Sequence, residues 1–156
     1  MTIKNQNGAS AVEFAIILPL LVVLIFGIIE FSLLLYNKAM LTNASREGAR
    51  LGIVYTGDPG PDGVHGTADD IYHPPDIDIE QVVINYATNH LITFGSDILD
   101  NADINITRTG NLSGDELTVT VTYRYDFLVF PNVADLIGGL FSDFQDLQAI
   151  TKMRLE

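Results

Sequence analysis

The sequence predicts an α+β protein in which a long N-terminal helix, part transmembrane and part stalk, packs on a small antiparallel sheet. Two observations carry this. Residues 14–29 hold no charge and, with their apolar flanks, form a run of about 25 residues, where a bilayer core needs about 20. Further on, 103–108 and 117–127 alternate apolar and polar residues, the period of half-buried strands. One domain with one membrane helix suits a chain of 156 residues.

Charge is divided along the chain. Residues 1–50 carry four Lys and Arg against three acids, a net +1, and residues 51–156 carry four against 17, a net −13. So acidic a C-terminal part repels phosphate backbones, which argues against nucleic acid as a partner. Cysteine is absent, which excludes disulfide frameworks, thiolate zinc sites and Cys nucleophiles.

The first eight residues, MTIKNQNG, are polar. The apolar run that follows is too long for a secretory signal peptide and leads into Phe-Ser-Leu-Leu-Leu-Tyr rather than a small-residue cleavage site. Glu13 stands one turn into this run. Helix amides and the helix dipole favour a carboxylate near an N-terminus, but in lipid it needs a cation. Cleavage after Gly8 would create an amine at Ala9, four residues before Glu13, on the same helix or offered by a neighbour. The pattern suggests a removable leader and a charge that finds a partner after removal.

Gly8-Ala9-Ser10-Ala11-Val12-Glu13-Phe14 resembles a type IV prepilin processing site of the Flp/Tad kind, and the VEFA…LP…FGIIEF…SREGAR stretch resembles the TadE-like pseudopilin family over the first third of the chain. Ser45 stands where the family pattern has Ala. The C-terminal LQAITKMRLE is also similar to the ending of these proteins. The resemblance implies a pilin-like head and a prepilin peptidase that cuts between Gly8 and Ala9. It implies assembly through Glu13, Phe14 and Pro19 with other pilin subunits, driven by inner-membrane Tad machinery. The chain would first be a single-pass membrane protein with an extracytoplasmic head, then part of an extracellular filament or its tip. Orientation rests on this resemblance, because Lys4 lies before the span while Lys38, Arg46 and Arg50 lie after it, opposite to the positive-inside bias.

The helix is expected over residues 9–54. Pro19 removes the amide that would bond to Ala15 and should kink or open it. Ala44, Gly48 and Gly52 recur every four residues as a smooth stripe, suited to packing on the protein's own head or on a neighbouring helix. The head then spans 55–156.

Residues 56–76 hold four Gly, four Pro and five Asp and break the helix. Asp58, Asp62, Asp69 and Asp70 could supply hard oxygen ligands to calcium, or form a solvated acidic loop. His65 and His73 read as solvated loop residues rather than zinc ligands. A second helix should start at Asp78 with a capping box completed by Gln81, bury Ile79, Val82, Val83, Tyr86 and Leu91, and end at Gly95 with His90 near its end. Strands follow at 103–108, 117–127 and 147–153, with a short helix or loop at 131–140. The polar segment TGNLSGDE joins the first two strands.

No nucleophile elbow, phosphate loop or His-Glu-x-x-His pattern occurs, so the chain is not read as an enzyme; the resemblance implies a structural pilin or minor pseudopilin. The other reading is a permanently anchored, calcium-dependent extracytoplasmic binding module that keeps its leader.

Overall fold

The computed structural model describes residues 7–57, 61, 63–64, 73–93, 99–128 and 144–156. Helix α1 (Asn7–Gly52) has 46 residues and spans about 69 Å at about 1.5 Å per residue. It starts two residues before the expected 9–54 span and stops two residues short of its end. Helical assignment runs through Pro19 without a break. A proline removes one amide donor, and the bonds on either side keep the helix in register.

Helix α2 (Asp76–His90) starts at Pro75, with no side-chain cap, so the capping box expected at Asp78 and Gln81 does not form. Two consecutive prolines, Pro74 and Pro75, supply the extended entry, and the Pro75 carbonyl accepts from the amides of Asp78 (3.1 Å) and Ile79 (3.5 Å). The helix ends at His90 rather than Gly95, with Leu91 in extended geometry as its C-cap. The His90 ring stacks on Tyr86, their centroids 4.3 Å apart, and its Nδ1 bonds the Tyr86 carbonyl at 2.8 Å. Asp100 then caps a single 3-10 turn, Asn101–Asp103, through a reciprocal capping box.

Strands β1 (Ile104–Arg108), β2 (Glu116–Asp126) and β3 (Phe144–Arg154) form an antiparallel sheet in the order β1-β2-β3. Strand β3 is longer at both ends than expected, because all of it pairs with β2, from Glu116↔Arg154 to Asp126↔Phe144. Leu117, Val119, Val121, Tyr123 and Tyr125 of β2 and Leu147 and Ala149 of β3 are buried on one face. Both α1 and α2 lie on that face, giving two layers around one core. The short helix or loop expected at 131–140 lies outside the described residues.

Candidate assembly helix and its docking into the head

Helix α1 has two halves with opposite surroundings. From Val12 to Phe31 its large apolar side chains are exposed, including Phe14, Ile16, Leu20 and Phe26. Its apolar window has a mean hydropathy of 2.9 and is 0% buried by the rest of the chain. The helix is long and apolar enough to cross a bilayer. Gly8, Glu13 and Phe14 all sit on this uncovered half, and Ala9 lies in its first turns. Nothing lies within 4 Å of where a Gly8 Cβ would stand, and its backbone is not in the left-handed region.

The second half is gripped by the head, and the grip begins at Glu30. This carboxylate is 2% exposed. Its Oε1 accepts from the Tyr125 hydroxyl at 3.0 Å and from the Leu128 amide at 2.9 Å. Burial, then the hydrogen bond to Glu30 and its negative charge, with a smaller contribution from Tyr123, push the Tyr125 hydroxyl well above the usual phenol range. Two turns on, Asn37 forms a two-bond clamp. Its Nδ2 donates to the Ile92 carbonyl at 2.7 Å and its Oδ1 accepts from the Ile92 amide at 3.0 Å, fixing the chain where it leaves α2.

Ser45 is buried and donates to the Thr42 carbonyl at 3.0 Å. A serine has one hydroxyl hydrogen, so in the 2.7 Å contact between Ser45 Oγ and Thr151 Oγ1 the donor is Thr151. Ala44, Gly48 and Gly52 all face the head's interior. A Cβ at Gly48 would stand 2.5 Å from Val83 Cγ2. One at Gly52 would stand 2.5 Å from both Ile79 Cδ1 and Leu117 Cδ2. In this structure the stripe lets α2 and β2 approach the α1 backbone.

The far end of α1 is closed by tertiary partners. The Glu156 amide donates to the Ile53 carbonyl at 3.3 Å, and His73 Nδ1 lies 3.1 Å from the Val54 carbonyl. A carbonyl only accepts, so His73 donates from Nδ1. His73 is therefore a buried helix-end donor, which corrects its reading as a solvated loop residue. Nearby, Arg108 of β1 binds Asp76 through Nη1 and the Pro74 carbonyl through Nη2 at 3.0 Å, pinning the start of α2 to the sheet. Asp58, Asp62, Asp69, Asp70 and His65 lie outside the described residues. Among the described residues, no group of three or more His, Asp or Glu is placed to hold a metal ion.

With this geometry in hand, comparison with known families gives one finding. Residues 8–50 match the TadE-like protein family. The TadE-like segment thus takes in both halves of α1, the uncovered span and the head-facing stalk, and none of the sheet. Comparisons with curated proteins and with solved structures give no match. Glu30, Asn37 and Ser45 all belong to the TadE-like segment, yet each reaches a partner outside it, between 55 and 106 residues away along the chain. The sequence assigns no role to Glu30 or Asn37, and His73 reads there only as a solvated loop residue. The one local signal for Glu30 and Asn37 is that polar groups recur on the helix face that also carries Leu41 and Ala44.

Proposed function

We infer that the protein is a Tad pilus-associated pilin-like subunit with a structural, non-enzymatic role. It is made as a membrane-inserted precursor, cut after Gly8, and assembled with other pilins into a filament or its tip. The observation that carries this reading is the uncovered apolar half of α1 with Glu13 inside it, lying within the TadE-like segment. Only lipid or other helices can cover that surface, and a helix drawn out of lipid needs neighbours to bury it again. A carboxylate in such a setting calls for a cation, and the Ala9 amine of a neighbouring subunit is one that processing would supply.

Gly8 adds independent support. It has open space around it and ordinary helical backbone, so neither packing nor conformation requires glycine there. A peptidase that needs an unobstructed backbone at the scissile bond accounts for it. The test is the intact mass and N-terminal sequence of the protein purified from cells that carry the peptidase. The expected mature chain starts at Ala9, and Gly8→Val should accumulate at precursor mass. A wild-type chain starting at Met1, or normal trimming of Gly8→Val, overturns the reading. The first of these outcomes would favour a permanently anchored module.

A further inference from the structure

We propose that, before assembly, the end of the head next to the span rests directly on the bilayer surface through Leu128 and Phe144. The proposal rests on the membrane-spanning reading of α1 and adds a second contact with lipid, made by the sheet end of the head.

The argument is one of level along α1. From Gly8 to Ile29 the helix has 22 residues, which rise about 33 Å at about 1.5 Å each. That matches a hydrocarbon core of about 30 Å, so the core ends near Glu30. Headgroups add about 5–7 Å on each side, roughly one further turn of helix. Glu30 is also where the head takes hold. Its carboxylate accepts from the Leu128 amide at 2.9 Å, which holds the Leu128 backbone within a side chain's length of Glu30. Phe144 stands beside it, since β3 begins there, opposite Asp126, two residues before Leu128.

Leu128 is 49% exposed and Phe144 39% exposed, whereas the large apolar residues of β2 are buried. On α1, Phe31, one residue beyond Glu30, is exposed as well. An apolar rim held at headgroup depth has the lipid surface as its occupant. The Arg124 guanidinium lies 3.9 Å from the centroid of the Phe144 ring and 3.3 Å from Asp126 Oδ1. That pair is neutral overall, so the contact depends on Leu128 and Phe144 and does not require anionic lipid.

The chain has no tryptophan, so single substitutions give site-specific emission. The full-length protein is reconstituted in phosphatidylcholine vesicles whose acyl chains carry bromine either near the carbonyl end or near the terminus. Leu128→Trp and Phe144→Trp should each emit to the blue and be quenched by the bromine near the carbonyl. Leu21→Trp, inside the apolar run, should be quenched by the deep bromine. Leu112→Trp, 75% exposed at the opposite end of the head, should emit as in water and escape both. If the probes at 128 and 144 behave like the one at 112 while the one at 21 is quenched, the head stands off the membrane and the proposal fails alone. An unquenched probe at 21 overturns the spanning reading together with the proposal. Quenching at 112 means that the head lies on its side, which also overturns it.

Discussion

The buried hydroxyls of Ser45 and Thr151 show how one side chain can need another far away in sequence. Ser45→Ala would leave the Thr151 hydroxyl buried without its acceptor, at a cost of about 1–3 kcal/mol. Replacing both, Ser45→Ala with Thr151→Val, removes donor and acceptor together and should restore most of that stability, as read by thermal melting in detergent. A double variant no better than Ser45→Ala would show that the pair is not coupled. Tyr125 gives a second prediction at this scale. Its hydroxyl titrates higher in the folded protein than in the unfolded chain. Its contribution is therefore complete below about pH 10, the unfolded phenol value, and is lost as pH rises through the raised folded value. Tyr125→Phe removes a hydrogen bond to a charged acceptor, worth about 1.5–3 kcal/mol at neutral pH. The stability gap between wild type and Tyr125→Phe should narrow as pH is raised above about 10, and a gap independent of pH would refute the linkage.

At the scale of elements, α1 docks through small residues while α2 and β2 supply the bulk. The methyl of Gly48→Ala would meet Val83, whose β-branched side chain is stiff about χ1. Overpacking of this kind costs about 1–3 kcal/mol, against about 1 kcal/mol gained from better helix propensity. A net loss of up to about 2 kcal/mol is expected in denaturant titrations. Val83→Ala should be less damaging in the Gly48→Ala background than alone, because the new methyl fills part of the space it vacates. Additive losses would mean that the two positions do not touch. The four-residue spacing of Ala44, Gly48 and Gly52 was legible as a smooth stripe, but spacing alone leaves its partner open. Ile79, Val83 and Leu117 come from α2 and β2, and only the packed structure brings them to α1.

For the whole molecule, the uncovered half of α1 means that the chain alone does not bury all its apolar surface. Glu13 is exposed in the half of α1 that the head does not cover, so its substitution should leave the head's fold untouched. If Glu13 pairs with the Ala9 amine of a neighbour, Glu13→Ala should insert and be processed normally yet fail to assemble, since losing one partner of a desolvated pair costs about 3–5 kcal/mol. Filament yield in sheared cell-surface fractions measures this, and a wild-type yield would refute the pairing.

The sequence by itself determined an apolar run long enough to cross a membrane, the long helix and the alternating strands, because hydropathy and periodicity are local properties that persist over many residues. It placed Gly8 and Glu13 at the junction of polar and apolar segments for the same reason. The cap of α2 escaped it, because the helix begins at Asp76 after the extended Pro74-Pro75 pair, which places Asp78 inside the first turn rather than at the cap. Tertiary structure alone decided what the polar residues of the stalk do. Glu30 meets Tyr125 and Leu128, Asn37 meets Ile92, and His73 meets Val54. A buried polar group must find a partner, but the partner is chosen by which chain segments pack beside it, and no neighbouring residue in sequence records that choice.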